Sequence, residues 1–304
     1  MAAASVLPGR PYLDGVDVRV LPLGKSTAAA VADGDADLGE IAEPVVEKEA
    51  EDKDLGLIRL NLNGGLMLIF NTRKPPFNDP AARHAVVDSL DSAEMNRTLF
   101  GGLGTPAKGP FDANSALANV QLAAPENRPD QAAAAFRRLT ADGTRPFRFT
   151  YLTIGAEPGT IAGEARYIQQ RLERHPNVRV AVESVDTPGL IGRIRSGDFD
   201  MALSALWMAD PEPALYDFLF PGSPSNTTGY SNPAVTEAMN AARKATDIGA
   251  RRDAYVRVQV QLNQDLPFWV YREAVNTVVF DRDVTGVQPF GDGVVLFDRI
   301  GFRE

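Results

Sequence analysis

Between Asp130 and Leu206 one arrangement recurs: an amphipathic helix, a turn residue that closes it, and a short apolar strand. A helix over Asp130–Asp142 is closed by Gly143 and leads to a strand at Phe147–Thr153. A helix over Thr160–Arg174 is closed by His175-Pro176 and leads to Val178–Val185, and a helix over Pro188–Arg195 is closed by Gly197 and leads to Asp200–Leu206. Strands separated by helices of this length do not pair as hairpins. The pattern therefore predicts βαβ units around a mainly parallel sheet, an α/β fold.

The flanking segments extend this reading. Val16–Leu21 alternates as a strand does, and Ser26-Thr27 caps a short helix through Ala32. Leu57–Asn63 and Leu66–Asn71 flank Asn63-Gly64-Gly65, and Asn-Gly supplies the positive φ angles of a tight hairpin. Leu66–Asn71 is apolar nearly throughout, as in a strand buried on both faces. Arg73-Lys74-Pro75-Pro76 breaks the chain. Asp79 then caps a helix with Pro80 at its first position, through Leu90, and a second runs from Ser92 to Phe100 before Gly101-Gly102. Helices over Pro233–Thr246 and Ala250–Leu266 and a strand at Phe268–Tyr271 follow. Asp33-Gly34-Asp35-Ala36-Asp37-Leu38 and Ser196-Gly197-Asp198-Phe199-Asp200-Met201 share a Gly-Asp-x-Asp turn from helix into strand, one in each half, which suggests two α/β lobes.

Composition excludes several kinds of chemistry. The 304 residues include no Cys and two His, so there is no disulfide, thiolate nucleophile or Cys-ligated metal. A net charge of -9 argues against binding to duplex DNA or an anionic membrane surface. No apolar run reaches the roughly 18–20 residues that span a bilayer, and Met1–Ala4 shows no signal peptide. Glu40–Asp54, with seven acidic residues and two Lys, reads as a solvated loop or helix face.

Motifs for catalysis fail on inspection. Asp33, Asp35 and Asp37 have the spacing of a calcium loop, but Leu38 and Pro44 stand where that loop needs Gly and Glu. Gly102-Leu103-Gly104-Thr105-Pro106-Ala107 follows a helix rather than a strand, so it is no dinucleotide motif. His84 lies within a helix, and His175 sits at a helix end where the dipole favours an imidazolium. No cofactor or metal is implied, and nothing supports an enzyme. By residue type alone Trp207 reads as core packing and Asp210 as a turn before Pro211.

Several ordered pieces resemble the family 5 extracellular solute-binding proteins of ABC transporters, the dipeptide, oligopeptide and nickel binders. They are Tyr12-Leu13-Asp14-Gly15-Val16 with Ala32–Leu38; Phe70-Asn71-Thr72-Arg73-Lys74-Pro75-Pro76-Phe77-Asn78-Asp79 with Arg83 and Ala85; Gly197–Asp200; Leu206-Trp207-Met208-Ala209-Asp210-Pro211; Gly229-Tyr230-Ser231-Asn232-Pro233; and Asp265-Leu266-Pro267. Pro80-Ala81-Ala82, His84 and Asp91-Ser92 depart from the family pattern.

This resemblance implies a type II periplasmic-binding-protein fold, two lobes joined by a hinge, with lobe I incomplete because the chain is truncated at its N-terminus. Residues 1–72 and 274–304 would then belong to lobe I and residues 73–273 to a complete lobe II, with Leu66–Thr72 and Phe268–Ala274 crossing at the hinge. It also implies a monomeric, periplasmic or extracellular receptor, membrane-associated, that passes peptides to permease subunits. Alternatives are a ligand-sensing domain of a transcriptional regulator and a receptor for a nickel complex or oligosaccharide. On the family pattern Asp210 receives a peptide's α-ammonium and Trp207 covers ligand surface in the cleft.

Overall fold

A computed structural model describes residues 12–21, 26–119, 121–155, 160–291 and 294–303. By its internal contacts the chain divides into one unit of residues 1–61 and 275–304 and a second of residues 62–274. Two long strands, β2 (Gly56–Phe70) and β6 (Phe268–Phe280), each pass from one unit into the other.

The first unit contains α1 (Thr27–Ala32), β1 (Leu38–Ile41) and α2 (Pro44–Asp52). Ser26 caps α1 by accepting from the Ala29 amide at 3.1 Å and donates to Glu49 of α2 at 2.5 Å. Ala28, Val31, Ile41, Ala50 and Val279 form its small core. β1 pairs antiparallel with the outer part of β6, from Leu38 opposite Phe280 to Ile41 opposite Thr277. The acidic stretch is largely helix, with its carboxylates engaged locally: Glu47 by Arg59 and Thr277, Asp52 by Lys48. Residues 15–21 form no strand, contrary to their alternation. Val18 and Val20 are 83 % and 93 % exposed, and an alternating pattern folds as a strand only where one face is covered. β7 (Val284–Thr285) and β8 (Gly301–Phe302) close the unit as a short antiparallel pair.

In the second unit α3 (Pro80–Asp88), α4 (Ser92–Phe100) and α5 (Pro129–Leu139) precede β3 (Phe147–Ile154), α6 (Thr160–Leu172), β4 (Val178–Val185), α7 (Thr187–Ser196) and β5 (Met201–Met208). Then come α8 (Ala214–Leu219), α9 (Pro233–Lys244) and α10 (Ile248–Asp265). The strands lie in the order β6-β2-β5-β3-β4. β3 pairs parallel with β4 and β5, as the helix–strand alternation predicts, whereas β2 pairs antiparallel with β5. The sheet is therefore mixed rather than mainly parallel.

Both faces of this sheet are covered. Leu68 and Phe70 point into a core with Phe77, Phe136, Phe147, Phe149, Ile168 and Trp269, under α3, α5 and α6. Met67 and Ile69 point the other way, into a core with Leu152, Phe199, Phe218, Tyr255, Val258 and Leu262, under α8, α9 and α10. Alternation between two buried faces explains the unbroken apolar run.

Gly64 and Gly65 do not turn the chain. They lie inside β2, with φ of 88° and 145°. A Cβ on Gly64 would collide with the Leu206 carbonyl, and one on Gly65 with the Arg272 carbonyl. Glycine is required here for close backbone approach within a strand, which the Asn-Gly dipeptide disguised as a hairpin. The last strand is longer than Phe268–Tyr271 because β6 continues through polar Arg272, Glu273 and Asn276 to pair with β1.

Candidate functional site

Strand β5 has two ends with different chemistry. At its start the motif residues hold one another. Asn71, 2 % exposed, donates through Nδ2 to the carbonyls of Gly197 (2.9 Å) and Phe199 (3.0 Å), fixing the turn that opens β5. Gly197 makes that turn with a left-handed φ of 75°. Arg73 donates to the carbonyls of Thr227 (2.8 Å) and Asn226 (2.9 Å) and packs so closely over Gly229 that a Cβ there would collide with it. The buried Arg83 guanidinium reaches the carbonyls of Phe77 and Asp265. Tyr230 Oη (2.5 Å) and Asn232 Nδ2 (2.8 Å) both donate to Asp265 Oδ2. Asp200 accepts from the Thr150 amide and pairs with Lys74, each at 2.9 Å. Sequence segments far apart in the chain thus meet as scaffold.

The other end of β5 carries Trp207 and Asp210. Trp207 lies opposite Gly64, which offers no side chain to cover the indole, and it is 37 % exposed. It is not a core residue; Trp269, 1 % exposed, is. Asn63, 6 % exposed, anchors the following loop: its Nδ2 donates to the Ala209 carbonyl at 2.9 Å and its Oδ1 accepts from the Asp112 amide at 3.2 Å. Asp112 caps its own turn by accepting from the Asn114 amide, while its Oδ2 is buried without a hydrogen-bond partner among the described residues.

Asp210 is not a bare carboxylate. Arg251, in the first turn of α10, grips it with two bonds of 2.5 and 2.6 Å, and Oδ1 also accepts from the Glu212 amide at 2.9 Å. These bonds, the Arg251 pair first, hold the Asp210 carboxyl below its ordinary value. Glu212 sits beside this pair. Its Oε2 lies 3.4 Å from Arg243, its Oε1 is buried without a hydrogen-bond partner among the described residues, and burial raises its pKa. Arg243 in turn lies over the Tyr216 ring, 4.3 Å from its centroid. The sequence carried no signal for Arg251, Asp112 or Glu212, and it presented Asn63 only as part of an Asn-Gly turn.

The histidines stand away from any nucleophile chemistry. His84 Nε2 lies 2.8 Å from the Gln264 carbonyl oxygen. His175 packs on Phe136 at 4.6 Å between ring centroids, and its Nε2 is 2.9 Å from Ser89 Oγ. The Ser89 hydroxyl donates to the Ala85 carbonyl, so the imidazole donates to Ser89 instead of activating it. Burial lowers the His175 pKa, which opposes the imidazolium expected from the helix end. A second polar cluster is wholly internal. Tyr271 donates to Glu164 at 2.7 Å, and burial followed by the Glu164 charge pushes the Tyr271 phenol well up. Among the described residues no helix is long and apolar enough to cross a membrane, and no three His, Asp or Glu side chains gather as a metal-ligand group.

This chain builds a mixed sheet covered on both faces, with an indole and a paired carboxylate at the carboxyl end of the central strand β5. Its fold is that of DppA from Helicobacter pylori in complex with peptide STSA, with a TM-score of 0.84 over 98 % of this chain and 58 % of that one at 21 % identity. It is also that of AppA from Bacillus subtilis in complex with a nonapeptide, with a TM-score of 0.82 over 97 % and 62 % at 19 % identity.

Residues 7–228 match the family described as bacterial extracellular solute-binding proteins, family 5 (middle), and the chain belongs to that family. Its relatives include the peptide transport periplasmic protein SapA of Salmonella typhimurium, 22 % identical over 93 % of this chain and 53 % of that protein. The glutathione-binding protein GsiB of Pectobacterium atrosepticum is 23 % identical over 97 % and 59 %. The chain thus spans 53 % to 59 % of the length of these two curated relatives.

Proposed function

We propose that this chain belongs to the peptide-binding component of an ABC importer, which holds a di- or oligopeptide and delivers it unchanged to permease subunits. On this reading residues 62–274 supply lobe II and the remaining residues part of lobe I. The working location is periplasmic or extracellular, the receptor is monomeric, and no catalytic group takes part. The observation that carries the proposal is the placement of a partly exposed Trp207 and the Asp210 carboxylate together where β5 ends, since ligands of α/β sheets bind beyond the carboxyl ends of strands.

The chemistry suits a free peptide N-terminus. An ammonium ~4 Å from a carboxylate gains roughly 4 kcal/mol at an effective dielectric of 20, before desolvation is subtracted. An indole face adds apolar contact that is indifferent to side-chain identity. Kinship with proteins named for peptide transport and glutathione binding supports the same ligand class.

Calorimetric titration of trialanine and N-acetyl-trialanine tests the reading. Asp210→Asn is expected to weaken trialanine by about tenfold or more, as loss of a charge-assisted contact does, and the acetylated peptide far less. Equal losses for both peptides would remove the ammonium contact.

A further inference from the structure

The carboxylate proposed to receive a ligand's ammonium already holds a cation from its own chain. Arg251 bonds to both oxygens of Asp210, and the Glu212 amide takes a further position on Oδ1. A carboxylate has about four lone-pair positions, so three of them are engaged, and its charge is compensated. A ligand ammonium arriving at this carboxylate competes with the guanidinium.

A second acceptor for that guanidinium stands close by. Glu212 is two residues from Asp210 in the same turn and is close enough for the Arg251 charge to act on it. Its Oε2 faces Arg243 at 3.4 Å, whereas Oε1 is buried with no hydrogen-bond partner among the described residues. A buried, unpartnered carboxylate oxygen is costly to maintain and gains from any donor that reaches it. Arg251 has the means to move: it is carried on a long, flexible stem in the first turn of α10, its guanidinium lies 5.7 Å from the Tyr255 ring centroid, and Tyr255 projects one helical turn further on. The groups beside it are Asp210 and Tyr255, and Glu212 is held next to it because its amide shares Asp210 Oδ1 with Arg251, with Arg243 on Glu212 Oε2.

The geometry points to a two-position arginine: Arg251 occupies Asp210 in the empty protein and transfers to Glu212 Oε1 when a cationic ligand group takes Asp210. This deepens the reading of Asp210 as the ammonium acceptor and rests on it. Arg251 is then a positioning residue that acts through Asp210. It acts as an internal surrogate for the ligand's amine and sets affinity by the fraction of molecules in which Asp210 is free. After the exchange Asp210 is paired with the ligand's ammonium, and Glu212 Oε1 gains a donor while its Oε2 stays with Arg243.

The test is the ratio of trialanine to N-acetyl-trialanine affinity, measured by calorimetry on the whole chain with Arg251→Met, Glu212→Gln and Asp210→Asn. Removing the competitor in Arg251→Met raises the ratio by about fivefold, the order expected when a competent state is freed. Glu212→Gln takes away the charged receiving position and lowers the ratio by a similar factor. A structural role for Arg251 would instead lower affinity for both peptides together. A ratio that falls or stays constant in Arg251→Met, while Asp210→Asn still abolishes the preference for the free amine, overturns the two-position arginine and leaves the ammonium reading intact. A ratio unmoved by Asp210→Asn, or no binding of either peptide to any variant, overturns the ammonium reading and the exchange with it.

Discussion

Asp200 and Asp210 flank the same strand, yet one carboxylate is bound into the scaffold and the other stands more exposed, paired with an arginine of another element. Asp200 satisfies a backbone amide of the neighbouring strand β3 and the Lys74 ammonium, within a network that ties residues 71–83 to the turns at 197–199, 226–232 and 265. Asp210 is 47 % exposed and is held chiefly by one long side chain. Bonds to buried carbonyls leave no freedom to exchange partners. An exposed bidentate ion pair can be exchanged for another cation at little cost. The start of β5 is therefore tied into the scaffold, and its end is where the proposed recognition would take place.

Three substitutions can break or sharpen that contrast. Phe77, fully buried against Phe70 and Phe149 with both centroids at 4.9 Å, belongs to the scaffold end. Phe77→Ala should lower unfolding free energy by about 3–5 kcal/mol in guanidinium titrations; a cost under about 1 kcal/mol would deny the motif its structural role. Asn71→Ala deprives two carbonyls of their donor and should cost about 1–3 kcal/mol by the same measurement, with the ratio of free to acetylated peptide affinity retained.

Asp210→Asn should have the smallest effect on folding, about 0–1 kcal/mol as for exposed ion pairs, despite the large effect proposed for binding. That contribution has a defined pH dependence. Because the folded-state pKa of Asp210 is lowered, its stabilisation is fully present above the ordinary value of 3.8 and is lost as pH falls below it through the folded value. Wild type and Asp210→Asn should therefore converge in stability on the acid side. A gap that widens on acidification would contradict the ion pair.

Hydrophobic periodicity made most of the second unit legible, because Phe147–Ile154, Val178–Val185 and the helices between them are specified by local patterns that tertiary packing agrees with. The failures arise where distant backbone decides. Gly64-Gly65 reads as a turn until the carbonyls of Leu206 and Arg272 are brought against it. Val16–Leu21 alternates like a strand, yet its valines stay exposed. At the candidate site, Trp207 and Asp210 were reached through ordered motifs, while Arg251, 41 residues from Asp210, has no spacing or motif that links it to that carboxylate. Electrostatic partners on another element are set by the fold, and the Arg251–Asp210 pair was the least legible part.

The chain has two tryptophans, one at each kind of location: Trp207 exposed at the proposed site and Trp269 buried in the core. Their indole N–H resonances, followed by NMR during titration with trialanine, test the central claim most directly. The account predicts a saturable shift of the Trp207 indole with the Trp269 indole unmoved, and loss of that shift in Asp210→Asn. A saturable response from which the Trp207 indole is absent, or an undiminished Trp207 shift in Asp210→Asn, would contradict it.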